Sequence, residues 1–186
     1  MTADNDEDVR ALRRSQREPA AFDALFLRHH AAVRRYLHAR LAQPAVAEDL
    51  AAETFARAFA ARHDFKDRGH GARAWLFQIA INLLRDEHRK AARAPRALHE
   101  PATAPAPELP TDPELGAQLR ALPRAQLEAL LLHAWADLTY EEIADVLQVR
   151  VGTVRSRLNR ARAHMQRELP AAMDPRSTQT QRSTTS

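Results

Sequence analysis

Residues 138–162 read LTYEEIADVLQVRVGTVRSRLNRAR, and the organisation of the whole chain follows from this stretch. Thr139 is followed three residues later by Glu142. That is the spacing of a reciprocal cap, in which each side chain satisfies a free backbone N–H at a helix start. Leu138 before the cap and Ile143 inside the helix are placed as a hydrophobic staple. Ile143, Ala144 and Leu147 then line one face at helical spacing. After a break at Gln148-Val149-Arg150, the residues Val154, Leu158, Ala161 and Met165 form a second apolar stripe. Gly152, Ser156 and Asn159 lie opposite it, flanked by Thr153, Arg155 and Arg160. No acidic residue stands between Asp145 and Glu168, whereas Arg150, Arg155, Arg157, Arg160, Arg162 and Arg167 all do. The pattern predicts a short helix, a tight turn and a second helix with a polar, basic outer face. A helix-turn-helix places such a second helix in the major groove, with its early residues at base edges.

Composition sets the frame for this reading. The chain has 186 residues, enough for one large or two small domains, and a formal net charge of +4. Its positive charge is nearly all arginine, with lysine only at Lys66 and Lys90. Arginine suits bidentate contacts to phosphate and guanine. Without cysteine there is no disulfide framework, thiolate metal site or cysteine nucleophile. No apolar run approaches membrane-spanning length, and the opening MTADNDEDV is acidic rather than signal-like, so a soluble cytoplasmic protein is expected. Four glycines and few alternating β-branched runs predict an all-α fold.

Taken in order, residues 1–18 read as a flexible lead-in, acidic first (Asp4, Asp6, Glu7, Asp8) and basic later (Arg10, Arg13, Arg14, Arg17). Pro19 suits a first helical turn, and Phe22, Leu25, Phe26, Val33, Tyr36, Leu37 and Leu41 trace one face of the helix that follows. The neighbouring His29 and His30 point to different faces and read as structural. Pro44 restarts the chain. In the next helix Leu50, Ala51, Phe55, Ala58 and Phe59 make the stripe, and Glu48, Asp49 and Glu53 occupy the early turns. Residues 63–73 (HDFKDRGHGAR) break the helical pattern with two glycines, one aromatic and the basic Lys66, Arg68 and Arg73. Such a loop suits a phosphate or an unstacked base, and equally a plain connector. A third helix over 74–93 carries the stripe Trp75, Leu76, Ile79, Ala80, Leu83 and a polar row Gln78, Asn82, Arg85, Arg89. Six of the eleven prolines crowd into 94–113, which reads as an extended linker between two helical domains, 19–93 and 114–169. The Ser/Thr/Gln-rich 170–186 reads as a disordered tail.

Two helical domains on a proline-rich tether, the second ending in a helix-turn-helix, resemble the extracytoplasmic-function (ECF) sigma factors of bacterial RNA polymerase, a branch of the sigma-70 family. AEDLAAETF at 47–55 resembles the family's polymerase-binding helix. WLFQIAINLLRDEHRK at 75–90 is similar to its promoter-melting helix, with Trp75, Leu76, Ile79, Ala80, Asn82, Asp86 and Arg89 at matching positions. In 138–162 the matches include Glu142, Ile143, Ala144, Gly152, Thr153, Val154, Ser156, Leu158, Arg160 and Ala161. The chain departs from the family at Ala52, usually glutamine, at Gln148, usually the turn glycine, and at Arg150, usually a serine cap.

The resemblance implies that domain 19–93 is sigma region 2, which binds polymerase and melts the -10 element, and that 114–169 is region 4, which reads the -35 element. Glu48, Asp49 and Glu53 would face the largest subunit of core polymerase. Phe65, Lys66, Arg68, Arg73, Asn82, Arg85 and Arg89 would hold the unpaired non-template strand. Thr153, Arg155, Ser156, Arg157, Asn159 and Arg160 would bind the upstream duplex, with Arg155 and Arg157 on phosphates. No catalytic residue, metal or cofactor is expected, since the polymerase supplies the chemistry. The partners implied are core polymerase, promoter DNA and, as for many family members, an anti-sigma factor. The helix-turn-helix alone also fits a stand-alone repressor or activator with an N-terminal helical domain. A helical adaptor without a DNA role is a further alternative, disfavoured by the acid-free arginine face.

Overall fold

The computed structural model describes residues 3–41, 43–67, 69–93 and 113–168. Arg68, all of the proline-rich linker except Pro113, and the tail lie outside the described residues. Every regular element among those described is helical, with α1 Ala3–Ser15, α2 Asp23–His38, α3 Pro44–Ala60 and α4 Gly71–Arg93 in the first half. The second half holds α5 Pro113–Ala121, α6 Arg124–Ala134, α7 Tyr140–Leu147 and α8 Val151–Glu168.

The stretch expected to be a flexible lead-in is instead helix α1. Val9, Ala11 and Leu12 are buried, and the helix packs on α2 and α4. Local pattern misses this because the acidic run is balanced at a distance. Asp8 is 1% exposed; His29 Nε2 lies 2.5 Å from its Oδ2, and Arg28 pairs with both Asp8 and Glu7. An ion pair this buried gives little net stability, but removing one partner leaves a stranded charge. The histidine at 29 is therefore structural, as its position suggested, while His30 stacks on Phe26.

Pro19 opens a short 3₁₀ turn, Pro19–Phe22, and the α-helix proper begins after it. Leu25, Val33, Tyr36 and Leu37 are fully buried, and Tyr36 meets Phe77 of α4 edge-on, their centroids 5.7 Å apart. Phe26, counted on the apolar face, is partly exposed. In α3 the buried Ala47, Ala51, Thr54 and Ala58 are small enough for close approach to α2 and α4, and Phe55 fills the space beside them. The α4 core is wider than its sequence stripe. Leu76, Phe77, Ala80, Ile81 and Leu84 are almost wholly buried, whereas Trp75 and Ile79 are only half so. The physical reason is that α4 is covered by α1, α2 and α3 and also meets α7 of the second half.

The helix-turn-helix forms as its caps dictate. Thr139 N–H donates to Glu142 Oε2 at 2.7 Å, and Glu142 N–H donates to Thr139 Oγ1 at 3.2 Å. The staple residues Leu138 and Ile143 are both buried. Gln148 ends α7 in the left-handed region at φ 57°, and Val149 N–H donates back to Ala144 O at 2.9 Å. That closing bond stops the helix where a glycine usually would. Val154, Leu158 and Ala161 are fully buried where α8 packs on α6 and α7, with Met165 half-buried beyond them.

Candidate nucleic-acid and polymerase interfaces

The seam of α8 decides its outer face. Burying Val154, Leu158 and Ala161 leaves Gly152, Arg155, Asn159 and Arg160 exposed. Thr153, Ser156 and Arg157 are half-buried, and Ser156 Oγ donates to Thr153 O at 3.0 Å. Ser156 thus retains acceptor capacity for an incoming group. Arg162, further along, donates to Tyr140 Oη at 3.2 Å and braces α8 to α7.

The loop between α3 and α4 builds a second surface. Asp67 Oδ1 accepts from Gly69 N–H at 2.9 Å and from Gly71 N–H at 3.2 Å, which folds the loop onto the start of α4. Gly71 has φ +71°, and a Cβ there would stand 1.8 Å from the buried Asn5 Oδ1. Glycine is required on both counts. Phe65 then meets Trp75 edge-on with centroids 5.1 Å apart. Phe65, Lys66, His70, Trp75 and Gln78 line a cleft of about 400 Å³. An aromatic pair beside a lysine is the combination that stacks and holds an unpaired base.

The structure brings Phe65 and Lys66 together but separates other residues expected with them. Arg73 is largely buried and pairs with Asp137 of the second half at 3.3 Å, so it faces that unit rather than the cleft. Asn82, Arg85 and Arg89 lie exposed further along α4, with Arg89 tied to Asp86. The row's first member, Gln78, donates to Val146 O at 3.4 Å. Sequence reasoning missed Trp75 and His70 as cleft residues. The aromatic loop residue followed by Trp75 was the available signal, but Trp75 also fitted the core stripe.

The two units touch around this cleft. Asp145 and Gln148 from the helix-turn-helix complete its wall. Arg35 lies 4.9 Å over the Trp135 ring and donates to Trp135 O at 3.3 Å.

On α3 the three expected carboxylates divide. Asp49 and Glu53 share an exposed face with Ala52 and Ala56, Glu53 holding Arg57 at 2.6 Å. Glu48 turns toward α2, accepting from Arg34 at 2.9 Å and meeting His38 Nε2 at 2.7 Å. The hydrogen bond from Arg34, then that from His38, holds the Glu48 carboxyl below its usual range. Among the described residues no helix is long and apolar enough to cross a membrane.

Two helical units, one with an aromatic cleft and one with a basic helix-turn-helix, fit a transcription-initiation factor, and the comparisons give the class. Residues 25–94 match the family model for sigma-70 region 2, and residues 113–165 match that for sigma-70 region 4. The ECF RNA polymerase sigma factor EcfG of Rhodopseudomonas palustris is 36% identical over 128 residues, covering 64% of this chain and 68% of that protein. The ECF sigma factor SigL of Mycobacterium tuberculosis is 33% identical over 156 residues, covering 77% and 86%. Among solved structures, the sigma factor RpoE of Bartonella quintana, bound to the anti-sigma factor NepR, superposes with a TM-score of 0.66. It is 27% identical, covering 81% of this chain and 98% of that one. CnrH in complex with the cytosolic domain of CnrY gives 0.62 at 26% identity, covering 89% and 96%. The chain belongs to the ECF sigma factors of the sigma-70 family. As a sigma factor it binds core RNA polymerase and directs it to promoters, and it is not itself an enzyme.

Proposed function

We propose that the labour of promoter recognition is divided among the residues above as follows. Ser156, Asn159 and Arg160 of α8 reach base edges of the upstream element, and Arg155, Arg157 and Thr153 grip its phosphates. Phe65, Lys66 and Trp75 capture the unpaired non-template strand, which continues along Asn82, Arg85 and Arg89. Asp49 and Glu53 dock on a basic surface of the largest polymerase subunit. Glu48 serves that surface indirectly, by fixing α3 against α2. The linker 94–113 tethers the two units, so that one contact raises the effective concentration of the other. The protein works in the cytoplasm, alongside the polymerase.

The observation that carries this reading is the face of α8 opposite its buried seam, where Arg155, Asn159 and Arg160 stand exposed. Run-off transcription with core polymerase on a random promoter library tests it. Recovery of two spaced sequence elements is expected, and transcripts without any sequence enrichment would overturn it. For the polymerase contact, Asp49→Lys should weaken capture by core polymerase while the thermal melt stays in place. Undiminished capture would remove Asp49 from that interface.

We also propose an anti-sigma partner. The support is the superposition on the sigma factor RpoE, whose structure contains the anti-sigma factor NepR.

A further inference from the structure

The end of α1 and the turn after it lie outside both family matches and carry three arginines whose role the fold does not explain. Arg13, Arg14 and Arg17 line a cleft of about 620 Å³ together with Gln16, Glu18, His63 and Phe65. Arg14 is offset by Glu18 at 3.7 Å, both well exposed. Arg13 and Arg17 have no acidic partner among the described residues and are exposed. Cations near a helix C-terminus gain a little from its dipole. That effect explains neither Arg17, beyond the helix end, nor the convergence of the arginines on an aromatic residue of another segment.

The cleft is held in place. Arg62 Nε donates to Ser15 O at 3.1 Å, and Gln16 Nε2 donates to Arg62 O at 2.8 Å. Arg62 also donates to Phe59 O at 2.6 Å and covers its ring at 3.9 Å. The end of α1 is therefore clamped to the segment that leads into the loop at Phe65. Phe65 forms a wall of both this cleft and the one containing Trp75 and Lys66. Because the clefts share Phe65, a strand held beside Trp75 would meet Arg13 and Arg17 if it continued past Phe65 into the second.

We propose that Arg13, Arg17 and His63 form a phosphodiester-binding site that grips the single strand where it leaves the Phe65–Trp75 cleft. The site rests on the reading of that cleft as the strand-capturing element. It adds affinity without base specificity, because phosphate contacts carry no sequence information.

The test uses holoenzyme, core polymerase plus the full chain, and fork-junction probes with a randomised non-template overhang. Three probes are compared: a short overhang, one lengthened at each end as single strand, and one with the same lengthening made duplex. Wild-type holoenzyme should bind the long single-stranded overhang several-fold more tightly than the short one. In Arg13→Gln/Arg17→Gln that advantage should vanish, and the log–log salt slope on the long probe should become shallower by about 1.4, for two single-strand phosphate contacts. Both arginines are exposed, and a thermal melt checks that the variant folds. An advantage absent from wild type, or kept by the variant, overturns the site. An equal advantage for the duplex flank overturns its assignment to single strand. Lys66→Gln tests the parent reading separately and should weaken short and long probes alike. If it weakens neither while the arginine effect stands, the loop assignment fails and the arginine cleft remains as an independent phosphate site.

Discussion

The Arg35 guanidinium of α2 sits 4.9 Å above the ring of Trp135, at the end of α6, and donates to the Trp135 carbonyl at 3.3 Å. One hundred positions apart in the chain, these two residues join the region 2 unit to the region 4 unit. Arg73–Asp137 and Gln78–Val146 complete the contact on the α4 side. A cation–π contact at such a site contributes about 0.5–1 kcal/mol, so each link is weak and the contact can open. Arg35→Ala should therefore loosen the two units without melting either. Because the chain has no cysteine, spin labels on Ala60→Cys and Ala163→Cys report the distance between them cleanly. A broader distance distribution in Arg35→Ala is the expected result. An unchanged distribution would show that Arg35 does not hold the units together.

Gly71 and Asn5 form a second long-range pair. Gly71→Ala should cost about 1–2 kcal/mol from its left-handed backbone alone, with the Asn5 clash added. Removing the obstacle in Asn5→Ala/Gly71→Ala should recover the clash but not the backbone cost. Chemical denaturation of the two single variants and the double variant measures the coupling. Strict additivity would mean that Asn5 does not fill the space beside Gly71.

His88 gives the fold a pH dependence. Burial lowers its pKa, and Arg124 and Arg40 lower it further, opposed by Glu87. The unfolded chain therefore binds a proton there more readily than the folded one. Stability from this group is complete above the ordinary imidazole value of 6.5 and declines as pH falls through the lower folded value. His88→Gln should flatten the loss of thermal stability between about pH 7.5 and 5. Parallel pH profiles for wild type and variant would exclude His88 as the source.

Gln148 pays a backbone penalty at φ 57°, partly offset by its side chain donating to Asp145 O at 2.6 Å. Gln148→Gly should raise stability by about 0.5–1 kcal/mol, since glycine adopts that region without a Cβ clash. A lower denaturation midpoint would mean that the side-chain bond outweighs the strain.

Arg160 and Arg157 separate sequence reading from phosphate gripping. Arg160 is exposed on α8, while Arg157 is half-buried nearer the seam. Arg160→Ala should cost about 1–3 kcal/mol, concentrated at particular positions of a selected upstream element. Arg157→Ala should weaken all sequences alike, with a shallower salt dependence. Uniform losses for both would make the α8 face a phosphate clamp and end the base-reading assignment.

The sequence by itself determined the elements whose causes are local. The Thr139–Glu142 box, the Leu138–Ile143 staple and the stripe Val154, Leu158, Ala161 lie within one or two helical turns, and each formed as its spacing required. The resemblance to ECF sigma factors rests on these motifs together with 47–55, 75–90 and the proline-rich tether, and the family matches support it. Tertiary structure decided what depends on residues far apart. Helix α1 became visible only when Asp8 met Arg28 and His29, because an acidic run without its partners reads as a solvated end. Trp75 moved from core stripe to cleft wall because Phe65 folds over it, and Arg73 left the cleft because Asp137 draws it to the other unit. Glu48 turned to α2 for the same reason, as Arg34 and His38 compete for its carboxylate. A helical period tells which face a residue occupies, but the charge or ring that waits opposite comes from another part of the chain, and only the folded packing supplies it.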